Sequence, residues 1–142
     1  MLYTYMLNLS KKELDTALNG VDGYKLTYRL HCFINIVFSI REKFNIVYEN
    51  NGVFYGLKHF YNITKHDSFP EDVIKSMTLK EGEERLDPIF MDISNIGCYK
   101  NLSGSKHKRK DYDKYIKGKT IKEICDKVYK DTKNVLKKNN YV

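Results

Sequence analysis

Polar side chains stand at helical spacing in the segment Leu57-Lys-His-Phe-Tyr-Asn-Ile-Thr-Lys-His66. These side chains are Lys58, His59, Asn62, Lys65 and His66. The two imidazoles and the amide follow one another at i, i+3 and i+7, which predicts one exposed polar strip along a helix. The imidazoles are two turns apart, roughly 10.5 Å along the axis, which is too far to share a metal ion. We therefore predict no metal site and no cofactor.

A second group of candidate residues interleaves cations with aromatic rings. Its members are Lys106, Lys108, Arg109, Lys110, Tyr112, Tyr115, Lys117 and Lys119. Cationic side chains neutralise phosphates and tyrosine rings stack on bases, so this composition is typical of single-stranded RNA or DNA binding. Together with Lys58 and Lys65, the six members from Lys106 to Tyr115 form the predicted nucleic-acid-binding set. A solvated loop has the same composition, and that alternative stays open at this point.

The net charge of +7 over 142 residues is concentrated in one part of the chain. Residues 106–142 contain thirteen Lys or Arg and five Asp or Glu, whereas residues 1–105 contain twelve and thirteen. A local cationic excess of this size favours a polyanionic partner, because lysines that contact phosphates release bound counterions. A solvated lysine surface without a partner is the competing interpretation.

Four apolar stripes predict the helices that would position these residues. The predicted helices cover residues 11–18, 24–48, 53–66 and 120–138. The clearest stripe belongs to the second helix, where Leu26, Leu30, Phe33, Val37 and Ile40 alternate steps of four and three. Ser10 with Glu13, and Thr120 with Glu123, predict capping boxes at two helix starts.

The segment between the third and last helices is less regular. Residues 76–80 and 89–93 could pair as one short β-hairpin around an acidic turn. Residues 101–111 lack apolar periodicity and predict an exposed basic loop. The whole chain, residues 1–142, therefore predicts a single all-α domain, a helical bundle of about four helices with an irregular insert.

Several classes of function are excluded by absent motifs. The chain has no Walker loop, GxGxxG, HExxH or GxSxG motif, which argues against P-loop hydrolysis, dinucleotide chemistry, zinc proteolysis and α/β-hydrolase chemistry. Cys32, Cys98 and Cys125 show no CxxC spacing, so we expect reduced structural thiols. No run of apolar residues is long enough to span a bilayer, and no secretory signal is present, so the expectation is a soluble, cytoplasmic protein without a membrane partner.

Residues 57–66 resemble the signature helix of the HEPN families, and residues 28–41 resemble the long helix that precedes it in those all-helical defence and toxin proteins. Their motif is an Arg, a polar residue, three further residues and a His, and two protomers combine their copies to cleave RNA. The resemblance implies catalytic roles for His66 and Asn62 and a homodimer. Tyr61 stands where the motif has Arg, which implies weakened or lost ribonuclease activity.

Three functional classes follow. The first is a HEPN-like, catalytically degenerate protein of a toxin–antitoxin or phage-defence system that binds RNA or a partner. The second is an active, metal-independent endoribonuclease that uses His66. The third is a small inhibitor or adaptor, similar to a phage anti-CRISPR protein, that binds a protein or nucleoprotein.

Overall fold

The computed structural model describes residues 2–20, 22–44, 51–65, 74–75, 87–94 and 105–139. In these ranges the helices are α1 (Leu2–Leu18), α2 (Gly23–Phe44), α3 (Asn51–Thr64), α4 (Ser105–Tyr115) and α5 (Ile121–Lys138), and the strands are β1 (Ile74–Lys75) and β2 (Ile89–Phe90). Helices hold 80% of the described residues, which confirms the predicted all-α helical bundle.

Helix α2 is the central helix of the bundle, as its stripe predicted. Leu26, Leu30, Phe33, Val37 and Ile40 are all buried. The helix begins within one residue of the predicted start, and residues 45–48 of the prediction lie outside the described residues. A continuous apolar stripe of this length needs partners on several sides, and α1, α3 and α5 supply them.

Helix α1 is longer than predicted, and the capping box at Ser10 is wrong. The helix begins at Leu2, so Ser10 lies in its interior, where Oγ donates a 3.1 Å hydrogen bond to the Leu7 carbonyl. Glu13 does not cap; it accepts a 2.6 Å bond from Arg29 of α2. A serine inside a helix satisfies its hydroxyl on the preceding turn, so the residue type alone does not identify a helix start.

The first strand of the pair lies earlier in the chain than predicted, at residues 74–75 in place of residues 76–80. Ile74 pairs with Phe90 and Lys75 with Ile89 in antiparallel register, while residues 76–80 lie outside the described residues. The other edge of β2 bonds to the turn after α4: Gly118 N–H donates to the Phe90 carbonyl at 2.8 Å. Gly118 has a φ of 80°, a left-handed conformation that glycine adopts without strain.

The predicted basic loop at residues 101–111 is wrong from Ser105 onward, because Ser105–Tyr115 is helix α4. Residues 101–104 lie outside the described residues. The helix is held by two apolar residues, Tyr112 and Ile116, which are both fully buried. Two anchors four residues apart are too few for an apolar stripe, so periodicity did not reveal this helix.

Helix α5 confirms the predicted start and stripe. Thr120 caps the helix, since its Oγ1 accepts a 3.1 Å hydrogen bond from the Glu123 N–H. The buried face consists of Ile121, Ile124, Cys125, Val128, Thr132 and Leu136. This face closes the bundle against α1 and α2.

Helices α3 and α4 approach closely at Gly56. A Cβ atom built on Gly56 would lie 2.7 Å from Ile116 Cγ1 and 3.1 Å from the backbone N and Cα of Tyr112. Only glycine permits this approach, which brings the Tyr112 ring within 6.2 Å of the Phe60 ring, centroid to centroid. The contact sets the position of α4, and with it the position of the cationic side chains that α4 carries.

We expect Gly56→Ala to lower the free energy of unfolding by about 1 to 3 kcal/mol, because the added methyl overpacks the α3–α4 contact. The same change at an open position inside a helix stabilises by about 1 kcal/mol, so the sign of the effect is diagnostic. Urea denaturation followed by circular dichroism measures it. Ile116→Ala removes the closest atom, so Gly56→Ala should cost less in that background. A stabilising Gly56→Ala would contradict the close approach.

Candidate functional site

Six exposed cations lie within fourteen residues at the end of α4, the following turn and the start of α5. They are Arg109, Lys110, Lys114, Lys117, Lys119 and Lys122, and we name them the cationic face. Residues 109–122 include only two acids, so this segment has a net charge of +4. The turn is hydrogen-bonded to β2 and the helix is anchored by Tyr112 and Ile116. The cations are therefore presented from an ordered helix–turn–helix, not from the loop that the sequence predicted.

Few acids neutralise this face. Lys117 lies 3.8 Å from Asp113, and Lys122 lies 3.4 Å from Asp126. Both pairs join exposed or half-exposed side chains four residues apart, where such contacts contribute little. Asp92 accepts a 2.9 Å hydrogen bond from the Ser94 N–H, which lowers the pKa of Asp92, and the positive charges of Lys117 and Arg109 lower it further. This carboxylate stays ionised beside the face.

The two tyrosines predicted to stack on bases have different surroundings. Tyr112 is fully buried, its ring stacks on Phe60, and its hydroxyl donates a 2.5 Å hydrogen bond to the Met91 carbonyl. Burial also raises the pKa of this phenol. The prediction that Tyr112 contacts nucleic acid is therefore wrong, because its ring belongs to the core. Tyr115 is half-buried against Gly52, with Lys114 Nζ 5.1 Å from its ring centroid.

The first part of the predicted basic set is described only in its backbone. Lys106 and Lys108 belong to α4, but their side chains lie outside the described residues. Arg109 and Lys110 are exposed. The structure thus places two of the four predicted loop cations on the cationic face, and it adds Lys114 and Lys122, which the sequence analysis did not single out.

The polar strip predicted on α3 is correct in part. Lys58, Asn62 and Lys65 follow one another at i, i+4 and i+7, and they are half-buried, half-buried and exposed. His59 is only 6% exposed and its ring lies 6.1 Å from that of Tyr112, so its predicted exposure is wrong. Helix α4 covers this side of α3, which sequence periodicity could not show. His66 lies outside the described residues.

Tyr61, at the position of the HEPN arginine, faces helix α2. Its ring centroid lies 5.1 Å from that of His31 and 5.7 Å from that of Phe38. His31 Nε2 and Thr64 Oγ1 form a hydrogen bond, and burial lowers the pKa of His31, which favours the neutral imidazole. No local pattern in the sequence pairs His31 with Tyr61 and Thr64, because the two helices meet only in the folded chain.

Arg41 of α2 does not replace the missing cation. The Arg41 guanidinium carbon lies 4.1 Å from the centroid of Phe54 and 5.3 Å from that of Tyr55. Phe54 precedes Tyr61 by two helical turns, roughly 10 Å along the axis. Arg41 is therefore stacked at the opposite part of α3 from Asn62, and Lys58 and Lys65 are the described cations nearest in sequence to the motif.

A buried lysine between α1 and α5 was not found by sequence reasoning. Lys11 is 8% exposed, and its Nζ lies 2.7 Å from both an Asp15 oxygen and an Asp126 oxygen. Burial opposes its charged form, but the hydrogen bonds that Lys11 donates to Asp126 and Asp15, together with the negative charges of these carboxylates, outweigh burial and raise the pKa of Lys11. The i, i+4 spacing of Lys11 and Asp15 is visible in the sequence, whereas Asp126 joins them only in the folded chain.

The groove at this lysine measures about 360 Å³ and is polar. Tyr129 forms one wall, and its hydroxyl donates a 2.7 Å hydrogen bond to Asn8.

Cys125 is fully buried on the same helix, and burial raises the pKa of its thiol, which makes it an inert structural thiol. Among the described residues, no group of three His, Cys, Asp or Glu side chains is placed to hold a metal ion.

Comparison with known proteins gives no assignment, since no protein-family model, curated protein or solved structure matches the chain. No helix in the described ranges is long and apolar enough to cross a membrane.

Proposed function

We propose that this protein binds RNA through the cationic face and that it binds without cleaving. The observation that supports the proposal is the clustering of six exposed cations on a helix–turn–helix whose core anchors, Tyr112 and Ile116, are fully buried. The backbone that carries these cations is already ordered, so only their side chains lose conformational freedom when they bind phosphates. The six positive charges together therefore attract a polyanion such as RNA.

The arrangement favours contacts with the RNA backbone over contacts with bases. With Tyr112 in the core, the half-buried Tyr115 is the one ring of the predicted pair left for stacking. Lysines act as point charges that do not distinguish bases. We therefore expect affinity that depends steeply on salt and little on sequence.

We propose that the chain is a non-catalytic variant of the HEPN families, which it resembles. Tyr61 carries no positive charge, and it lies against His31 and Phe38. A transition state with phosphorane charge needs a cation at that position. Arg41 is stacked on Phe54 two turns away, so it does not supply one. We accordingly propose that Asn62 and His66 are remnants of a motif, in a chain that retains the binding step.

Removing cations from the face tests the proposal. In the variant Arg109→Gln, Lys110→Gln, Lys114→Gln, Lys119→Gln, we expect binding to a single-stranded RNA to weaken about tenfold or more at low salt. The slope of log K against log salt should shrink by about 0.7 for each phosphate that the variant no longer neutralises. Fluorescence anisotropy over a salt series measures both quantities, and several unrelated RNA sequences should respond alike.

The matched control removes the same charge from other exposed positions. Lys25, Lys43, Lys127 and Lys138 are exposed on α2 and α5, and their four Gln replacements should leave the salt slope nearly unchanged. Equal losses of affinity in both variants would mean that binding reflects net charge alone. Unchanged binding in both would reject the RNA proposal and favour a protein partner.

Cleavage assays in EDTA separate the binding protein from the endoribonuclease. We expect no cleavage, and we expect His66→Ala to bind RNA as the wild type does. Metal-independent cleavage that His66→Ala abolishes would replace this proposal with the enzyme. The homodimer that the resemblance implies is tested by light scattering, where a dimer has twice the 16.8 kDa of the chain.

A further inference from the structure

The first turns of α1 expose an apolar stripe that the bundle does not use. Leu2 is 69% exposed, Tyr5 64% and Leu9 41%. They stand at i, i+3 and i+7 and therefore share one side of the helix, opposite the side that buries Leu7 and Leu14. Residues 2–10 include no charged side chain. Helix α1 is thus apolar on both its inner and its outer face along these turns.

Lysines of α5 flank this stripe. The Asn8–Tyr129 and Lys11–Asp126 contacts, each 2.7 Å, advance in opposite directions along the two helices, so α1 and α5 are antiparallel. By this register Lys133 is level with residue 4 of α1, and its Nζ lies 5.6 Å from the centroid of the Tyr129 ring. On the C-terminal side of Asp126, the lysines on this side of α5 are Lys130, Lys133 and Lys137, at i, i+3 and i+7.

Three acids beside the stripe and its lysines are already paired, whereas Glu123, seven residues before Lys130, is exposed and, among the described residues, bonds only to Thr120. Glu13 binds Arg29, Asp15 binds Lys11, and Asp126 binds Lys11 and Lys122. In contrast, within the described part of the chain, Lys12, Lys130 and Lys137 form no ion pair and are exposed. The surface therefore combines an uncharged apolar stripe with a margin of unneutralised cations.

We propose that this surface docks on an anionic lipid bilayer, with Leu2, Tyr5 and Leu9 entering the headgroup boundary and Lys12, Lys130 and Lys137 contacting lipid phosphates or carboxylates. Apolar side chains beside lysines on a helix that lies in the membrane plane are the features that bind such surfaces. The docking is peripheral and needs no spanning helix.

Two other occupants fit the surface less well. A second copy of the chain would bring the α5 lysines of both copies together, and three side chains expose well under the roughly 800 Å² per partner of a stable interface. A nucleic acid would satisfy the lysines and would find one stacking ring in Tyr5, but Leu2 and Leu9, the other two side chains of the stripe, offer it no hydrogen bond and no stacking ring. A bilayer satisfies both parts of the surface.

Co-sedimentation with vesicles tests the proposal. We expect the protein to bind vesicles of phosphatidylcholine with about one third phosphatidylserine, and to bind pure phosphatidylcholine vesicles much more weakly. The variant Leu2→Gln, Tyr5→Gln, Leu9→Gln should lose about tenfold or more in partition coefficient. Lys130→Gln and Lys137→Gln should each cost about fivefold, which corresponds to about 1 kcal/mol per lysine near the surface.

Tyr24 and Tyr28 supply the matched control. They are 66% and 62% exposed on α2, and their Gln variants should bind vesicles as the wild type does. The stripe variant should also retain wild-type affinity for RNA, which separates this result from the RNA proposal. Vesicle binding that survives the stripe variant, no binding by the wild type, or a dimer that the stripe variant dissociates would each overturn the proposal.

Discussion

Replacing Tyr112 with Ala is expected to lower the free energy of unfolding by about 3 to 5 kcal/mol. The ring is fully buried, stacks on Phe60 at a centroid distance of 6.2 Å, and meets Phe90 edge-on at 6.4 Å. Truncation therefore leaves a cavity between α3, α4 and β2, and it removes the hydrogen bond to the Met91 carbonyl. Urea denaturation followed by circular dichroism measures the decrease.

Tyr112→Phe isolates the hydroxyl from the ring. It keeps the aromatic packing and leaves the Met91 carbonyl without this donor, so we expect a decrease of about 1 to 2 kcal/mol. The variant should bind RNA as the wild type does under conditions where it is folded. A large drop in RNA affinity in folded Tyr112→Phe, or a decrease in stability below about 1 kcal/mol in Tyr112→Ala, would mean that α4 does not dock on α3 as described.

The second large effect is expected at Phe33 of α2. Phe33 is fully buried at the middle of the α2 stripe, with Leu30 and Val37 one turn away on either side. Phe33→Ala should lower the free energy of unfolding by about 3 to 5 kcal/mol. Helix α2 contacts α1, α3 and α5, so a shift of one helix would not fill the cavity that the truncation leaves. The midpoint of urea unfolding should fall without a change in the helical signal of the native state.

Tyr24→Ala is the control for Phe33→Ala, since it truncates an aromatic residue of the same helix. Tyr24 is 66% exposed, and we expect a change within about 0.5 kcal/mol. Comparable decreases in stability at both positions would show that helix propensity, and not burial, dominates. A decrease below about 1 kcal/mol for Phe33→Ala would mean that the stripe does not form the core.

Periodicity predicted the elements whose burial is continuous. Helix α2 carries an apolar residue at each step of three or four, and α5 combines such a stripe with the Thr120 capping box. The start of α2 and both ends of α5 were therefore predicted to within one residue. Helix α1 was predicted only in its second half, because Ser10 and Lys11 interrupt its buried face. Both polar residues are buried with partners: Ser10 donates a hydrogen bond to the Leu7 carbonyl, and Lys11 forms ion pairs with two carboxylates.

The docking of α4 was invisible to local patterns. The sequence around Lys110 is rich in charge, and among residues 109–117, whose burial the structure describes, Tyr112 and Ile116 are the only buried apolar residues. The packing of α4 against α3 depends on Gly56, a residue of another helix far away in sequence, whose missing side chain admits the backbone of α4. This single approach also buries His59 and removes Tyr112 from the candidate binding surface.

The sequence by itself determined the all-α class, the two long helices and the concentration of positive charge after residue 105, because each depends on residue types repeated along a contiguous stretch. Only the tertiary structure decided which of those residues are accessible. In the structure, most of the predicted loop is a helix that carries part of the cationic face. The ring of Tyr61 lies against that of His31, and Lys11 forms an ion pair with Asp126. Accessibility and long-range ion pairs depend on which helix faces meet across the bundle. Close packing between residues far apart in the chain determines which faces meet.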